Sequence, residues 1–543
     1  MTPPIDPSKE DTQTGVISPE NTYISPTTGK TYYPVVGLEI HAELRTNSKM
    51  FCSCKNDPDE EKPNTNICAI CMGHPGTLPV INKEAVKHVI KMGTAIGANI
   101  ADYTEWDRKN YFYPDIPKGY QISQYAFPLI KGGKINVDLG GGADLYPVEI
   151  TRVHLEEDTA SSSHTKGDFS LVDFNRAGVP LMELVTEPVI HSAKAAGAFA
   201  RELQLLLRYL NAGHANMEKG EMRVEVNVSV SAEQGKFGTK VEVKNLNSFR
   251  SVERSIDFEI KRHVDVIEEG GTIVQETRGF DETTGKTFSQ RAKENSNDYR
   301  YFPDPDLPKI FISEIPELAP DKIKAEMPEL PWEKRARYKK DFGMKDEDAE
   351  MFVQNDAFRN FFDTFVSAEN AGAEKTAHSP EKIKIGINYI TSDIAGIVKK
   401  ATKTDISDPD LNGSTILISV PYFIEIIEMI DKGELSSRAA KDILVRYWGE
   451  TSLSDVGTKT GDITVEARSP KQIAEQEGLI QKNDPEALKK MIQEIIDANA
   501  GVVAEYKAGK EASLQFLLGQ IMKVSKGSVN PGLAKTTLME MLK

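Results

Sequence analysis

In VVGLEIHAEL (35–44) the chain alternates apolar and polar positions, strictly so from Leu38 onward. Val36, Leu38, Ile40, Ala42 and Leu44 fall on one side of an extended strand and Glu39, His41 and Glu43 on the other, because successive strand side chains point to opposite faces. The alternation recurs in MRVEVNVSV (222–230) and TKVEVKNLNSF (239–249), which predict a hairpin around Gly235 and Gly238. Its polar faces carry Arg223, Glu225, Asn227 and Ser229 on one strand and Lys240, Glu242 and Lys244 on the other. VPLMELVTEP (179–188) sets Glu183 inside an apolar run, where an unpaired carboxylate is costly unless it meets a cation. In PVEITRVHLEEDT (147–159) the apolar phase slips between Ile150 and Val153, which predicts a bulge. Periodicity there does not say whether Glu156 or Glu157 points inward.

Two helices interrupt these strands. One spans 82–98 behind Asn82 and stripes Val86, Val89, Ile90 and Ile96; the other spans 192–210 behind Ser192 and stripes Phe199, Leu203, Leu206, Leu207 and Leu210. After YFPDPDLP (301–308) the pattern turns helical, with polar linkers near 366–382, 402–414 and 450–462. Pro421 opens a helix ending near Gly433, and Ser436 caps the next. From residue 471 short amphipathic helices follow, carrying Leu488, Ile492 and Ile495, then Leu514, Leu517, Leu518 and Ile521. The expected class is α+β. A mixed, largely antiparallel sheet domain (32–308) precedes an all-α domain (309–465) and a small α-helical tail domain (466–543), all behind an unstructured extension (1–31).

Composition narrows the setting. The 39% apolar and 27% charged content are those of a soluble globular protein, and no run of about eighteen apolar residues could span a membrane. The first thirty residues lack an apolar signal core and the arginines of a transit peptide, so a cytoplasmic, bacterial-type location is expected. A net charge of −16 disfavours indiscriminate nucleic-acid binding. Residues 471–543 run against it with ten lysines to nine acids, either a local basic surface or a solvated helix face.

The four cysteines carry the loudest chemistry. Cys52 and Cys54, then Cys68 and Cys71, form two close-set pairs separated by a loop, the arrangement of a tetrahedral thiolate zinc site. Cys52 and Cys54 are too close for an unstrained disulfide. Glu39, His41 and Glu43, in a row on one sheet face, can hold a hard divalent cation, or can simply face solvent. The mixed polar hairpin suits a nucleotide triphosphate or plain exposure, and Arg108 and Lys109 in DRKNYFYPD (107–115) could bind phosphate. TTGKT (283–287) imitates the end of a phosphate-binding loop, but Phe280 stands where the first glycine is required. No G-x-S-x-G elbow or other amide-hydrolysing nucleophile is evident.

Longer strings are specific enough to carry a resemblance. VVGLEIHAEL, the cysteine block running into GHPGTLPVIN, DRKNYFYPDIPKGYQISQY, HLEEDTASSSH, SLVDFNRAGVPLMELVTEP, EVKNLNSFRSVERSIDFEI, QETRGFDETTGKT and DYRYFPDPDLP together resemble the B subunit of the aspartyl/glutamyl-tRNA amidotransferases, in order from about residue 32 to the C-terminus. The resemblance implies a cradle-like catalytic domain and a carbon–nitrogen ligase activity. ATP would phosphorylate the side-chain carboxylate of misacylated Glu-tRNA(Gln) or Asp-tRNA(Asn), and ammonia freed from glutamine by an amidase A subunit would then displace phosphate. A small C subunit would complete a heterotrimer. It further implies a Mg²⁺ cluster at Glu39, His41, Glu157 and Glu183, choosing Glu157 over Glu156. Arg108, Lys109, Arg223, Glu225, Lys240 and Lys244 become candidates for ATP or the acyl-tRNA end. Because some family members lack the cysteine block, zinc is expected to be structural. The competing expectation is a non-catalytic zinc-knuckle tRNA-binding subunit. A self-contained glutamine-dependent ligase fails on the missing nucleophile.

Overall fold

The alternating segments pair into one large mixed sheet. The computed structural model describes residues 17–140, 144–163, 168–292, 299–367, 379–403, 416–448, 468–481, 485–525, 529 and 531–542. They divide into two compact units, Met1–Pro331 and Trp332–Lys543.

The main path of the sheet uses ten strands: β1 (Thr31–Glu43), β2 (Asp107–Asn110), β3 (Tyr120–Ser123), β4 (Tyr146–Glu157), β5 (Pro180–Thr186), β6 (Met222–Ser231), β7 (Val241–Leu246), β8 (Glu276–Asp281), β9 (Lys286–Ala292) and β10 (Phe302–Pro303). Their spatial order is β9-β8-β7-β6-β1-β5-β4-β3-β2-β10, so β1, first along the chain, lies in the middle between β5 and β6. Neighbours run antiparallel except β7 and β8, which are parallel. The alternation in β1 is obeyed closely: Val36, Leu38, Ile40 and Ala42 are buried on the apolar side. Each large side chain so buried contributes roughly 1.5–3 kcal/mol.

Three long helices cover this unit, beside the short helix Pro320–Ala325. In α1 (Lys83–Ala95) the Asn82 side chain accepts from the amides of Glu84 and Ala85; in α2 (Ala193–Tyr209) Ser192 accepts from Ala195; in α3 (Phe249–Glu268) Ser248 accepts from Ser251. Such caps are worth roughly 1 kcal/mol each. Helix α3 packs on β6 and on α2, and α1 packs on β4.

Residues 17–31, expected within an unstructured lead-in, are structured. Ile17 is buried and its carbonyl accepts from Gln234 Nε2, Tyr23–Ile24 pairs with Thr31–Tyr32, and Glu268 accepts from Thr28 Oγ1 and Tyr32 Oη. A two-residue strand has too little periodicity to announce itself. TTGKT, by contrast, is the hairpin turn between β8 and β9 that its rejection as a phosphate loop leaves room for. The amides of Thr283 and Thr284 donate to Asp281 Oδ1, and Gly285 takes the positive φ that closes it.

The second unit is helical in its described residues. Tyr338, Phe352, Phe358, Phe362, Phe365 and Phe423 are buried in it. The expected helical pair is present as Val420–Asp431 and Ser437–Trp448. The tail stripe Leu488, Ile492, Ile495, Leu514, Leu517 and Ile521 forms one core with Leu538. The predicted polar linkers lie largely outside the described residues. No helix among the described residues is long and apolar enough to cross a membrane.

Candidate functional site

The polar face of the central strands gathers acids and imidazoles from three neighbours. Glu183 on β5 stands in register opposite His41 on β1 and opposite His154 on β4. Directly opposed residues share a face, so these three converge, together with Glu39 and Glu156 two positions along their strands. His41 Nε2 lies 3.5 Å from both Glu156 Oε1 and Glu183 Oε2, and His154 Nε2 lies 3.4 Å from Glu183 Oε2. Ligand atoms of Glu39, His41 and Glu183 lie within 4.8 Å of one another, and so do those of His154, Glu156 and Glu183.

The electrostatics record an excess of negative charge held away from water. Burial and neighbouring Glu183 push the Glu156 carboxyl up to about 7. Burial and Glu183 likewise raise Glu39. Burial acts against the His41 cation, but Glu183 and Glu156 outweigh it and raise its pKa to about 9. His154, more deeply buried, is driven down to about 4. Burial opposes ionisation of Glu183 too, yet His154, His41 and Arg152 hold it well below the usual carboxylate range. Glu156 Oε2 is buried with no hydrogen-bond partner. Two three-residue donor sets that share Glu183, one of them with an orphaned oxygen on Glu156, fit a hard divalent cation.

Flanking groups extend the polar floor. At one end Arg223, opposite His41, donates to Asp158 Oδ2 at 2.8 Å. At the other, Glu225, opposite Glu39, lies 2.7 Å from Lys244 Nζ. Lys109 on β2 is half-buried, with its ammonium 5.0 Å from the centre of the Tyr299 ring.

Beside this floor the four cysteine sulfurs lie within 4.8 Å of one another, all as free thiols. Hydrogen bonding from Cys52 brings the Cys71 thiol down to about 5 despite burial, while the same contact and burial push Cys52 up. Four sulfur donors so placed fit tetrahedral zinc. Asn175 clamps the intervening loop: its Oδ1 accepts from the amides of Thr65 and Asn66, and its Nδ2 donates to Lys62 O.

Comparison with known proteins shows the family. Residues 34–316 match the GatB/GatE catalytic domain and residues 373–542 match the GatB domain. The chain is 40% identical over 513 residues to the aspartyl/glutamyl-tRNA(Asn/Gln) amidotransferase B subunit of Persephonella marina, covering 94% of this chain and 100% of that one. The chain belongs to this B-subunit family. Its likeness to the family members of Thermodesulfovibrio yellowstonii (40% identical, 94% of this chain, 99% of that one) and Crocosphaera subtropica (38%, 94% and 98%) is of the same extent.

Not every residue expected of the family signature arrives on the acidic face. Glu39, His41 and Glu183 do. Glu157 does not, and this corrects the choice made from the sequence. The bulge, at Thr151, is where β5 pairing skips from Arg152 to Ile150. Beyond it Val153, Leu155 and Glu157 share the opposite face, where Glu157 Oε1 accepts from Lys118 Nζ and from the Ile122 amide. Glu156 and His154 take the place on the acidic face. The sequence signal was present: Val153 and Leu155 are apolar, and their parity sends 154 and 156 to the polar side. Among the nucleotide candidates, Arg108 is held by Asp304 and Asp306 at 2.7 and 2.9 Å and lies over Tyr120, away from the acids. Lys240 is exposed at the hairpin end, outside β7. Arg223, Glu225, Lys244 and Lys109 line the floor.

Proposed function

We propose that the chain is the catalytic B subunit of a tRNA-dependent amidotransferase. It uses ATP to phosphorylate the side-chain carboxylate of Glu-tRNA(Gln), Asp-tRNA(Asn) or both, and delivers the activated group to ammonia, giving the amide. The observation that carries this is the convergence of Glu39, His41, His154, Glu156 and Glu183 in a chain matching the family over 94% of its length. Phosphoryl transfer needs positioning and charge neutralisation rather than a covalent nucleophile, which an acidic floor with a bound cation supplies. Glu39, Glu156 and Glu183, with His41, would hold Mg²⁺, which when bound neutralises the triphosphate. The chain's own residues orient it: His154 and Arg152 fix Glu183, and Asp158 fixes Arg223.

With no amide-hydrolysing nucleophile evident in the sequence, ammonia comes from an amidase A subunit working on glutamine, and a small C subunit completes the heterotrimer. Cys52, Cys54, Cys68 and Cys71 hold structural zinc. The division into domains at 32–308, 309–465 and 466–543 assigns the tail to tRNA contact, and the complex works in a bacterial-type cytosol. The test is reconstitution with A and C subunits and each misacylated tRNA in turn, measuring ATP-dependent Gln-tRNA and Asn-tRNA. Background ADP release with charged tRNA in the full complex would instead favour a non-catalytic zinc-knuckle tRNA-binding protein.

A further inference from the structure

The basic side chains around the acidic face are nearly all spoken for. Arg152 Nη2 lies 3.3 Å from Glu183, Arg223 Nη2 2.8 Å from Asp158, Arg176 Nε 3.7 Å from Asp158 and Lys244 Nζ 2.7 Å from Glu225. Lys118 is paired with Glu157 below the face, and Arg108 with Asp304 and Asp306 beyond it. Lys109 differs. Among the described residues its ammonium has neither an ion pair nor a hydrogen bond. Its close contact is the Tyr299 ring, while Glu156 and Glu183 act on it only through space.

The surroundings hold it there. Pairing of β2 with β3 fixes Lys109 opposite Gln121, which leaves Arg108 on the other side of the strand. Tyr299 packs edge-on against Tyr111 and Tyr301, at 5.8 and 5.9 Å, and Tyr301 stacks on Tyr125 at 3.9 Å. This aromatic wall attracts a cation through its ring faces without neutralising it. Burial works against the ammonium, but the field of Glu156 and Glu183 outweighs it and keeps the side chain charged. A half-buried lysine without a counter-ion costs stability unless an anion arrives to pair with it.

We propose that Lys109 binds the phosphoryl group while it is transferred to the tRNA-borne carboxylate and while phosphate is displaced by ammonia. This deepens the reading above and rests on it. In the first step a carboxylate oxygen bonds to the γ-phosphorus, the bridging P–O bond breaks, and ADP leaves with that electron pair. In the second, ammonia nitrogen bonds to the acyl carbon, the C–O bond breaks, and phosphate leaves with the pair; water or phosphate takes the surplus ammonia proton. The non-bridging phosphoryl oxygens carry negative charge through both steps, and a face lined with acids would repel them. Among the described residues Lys109 is the basic group on that face free to answer this charge. A compact ammonium on a flexible stem can follow the phosphorus as it moves, which a planar guanidinium locked in a fork does less well.

The test uses the heterotrimer with misacylated tRNA. Lys109→Met should lower ADP formation by about a hundredfold or more, the size of loss seen when one charge-stabilising donor is removed. Affinity for charged tRNA should stay within about twofold. Ethylamine added to Lys109→Ala should restore turnover with saturation, a response that a merely structural lysine would not give. Should Lys109→Met fail to assemble, Lys109→Arg decides: a tenfold or larger fall in kcat supports the assignment, and wild-type kcat overturns it. Wild-type turnover by Lys109→Met, or a defect accounted for wholly by tRNA affinity, also overturns it. If the wild-type complex itself makes no ADP, the amidotransferase reading fails first; if it does and Lys109→Met matches it, only Lys109 loses its role.

Discussion

Exchanging one glutamate for the other in the Glu156-Glu157 pair separates site from scaffold. Glu156 is 2% exposed, and one of its oxygens has no partner. Glu156→Gln keeps the volume and removes the charge. A unit charge about 4 Å from another is worth about 4 kcal/mol at an effective dielectric near 20. Relief of carboxylate burial returns part of this, leaving about 3 kcal/mol, or roughly a hundredfold weaker divalent-cation binding. Glu157→Gln acts elsewhere: it breaks the buried pair with Lys118, costing about 3 kcal/mol of stability at most, because an amide oxygen can still accept from Ile122. The assay is Mn²⁺ binding followed by electron paramagnetic resonance, beside thermal unfolding of the same samples. Glu156→Gln should weaken Mn²⁺ and leave or raise the melting temperature; Glu157→Gln should bind Mn²⁺ normally and melt lower. The reverse pattern would refute the strand parity on which the site is built.

Further outcomes follow from the same structure. Glu259, fully buried, meets Arg262 at 2.7 Å, His263 at 3.2 Å and Thr287, and these overcome burial to hold its carboxyl at about 2. A depressed acid stabilises the fold fully above its ordinary value near 4.5 and loses that contribution as pH falls toward 2. Glu259→Gln should therefore remove about 3 kcal/mol at neutral pH and flatten the wild-type loss between pH 4.5 and 2, read by urea unfolding across that range. Zinc content should be one ion per chain by elemental analysis, and chelation or Cys68→Ser should lower the melting temperature before it changes kcat. Abolished ATP use in a folded Cys68→Ser variant would refute the structural role. Phe362→Ala, in the helical unit, should cost about 3–5 kcal/mol, visible in chemical denaturation.

Much of the fold was legible because burial and alternation coincide. In β1 the polar set Glu39, His41, Glu43 and the apolar set from Val36 to Ala42 separate cleanly, so one register satisfies both faces. Helices α1 and α2 announced their starts through Asn82 and Ser192, where a side chain must replace the missing backbone acceptor. What periodicity could not supply was sheet order. That Glu183 faces two histidines on separate strands follows from long-range pairing, which no local pattern encodes. The Glu157 error has the same root: the bulge at Thr151 was legible, but a family string of two adjacent glutamates hid the parity that Val153 and Leu155 carry. Cysteine chemistry was the reverse case, because two tight pairs bring their sulfurs together with little help from the rest of the fold.

The distribution of charge explains why this face carries so much buried acid. At its ends Asp158 is paired with Arg223 and Arg176, and Glu225 with Lys244. At its centre, Glu39, Glu156 and Glu183 share Arg152 and two imidazoles, of which His154 is held neutral. The centre is therefore short of positive charge that a bound cation would supply, while among the described residues the Lys109 ammonium faces it without a paired anion. A metal nucleotide carries both complements at once, cation and phosphate. Each half of the site is poorly satisfied alone, so occupancy by either metal or free phosphate should stabilise the chain less than the two together. Thermal shifts with Mn²⁺, with phosphate and with the metal nucleotide would show this as a shift for the last exceeding the sum of the others. Additive shifts would mean that the acids and Lys109 serve separate ligands.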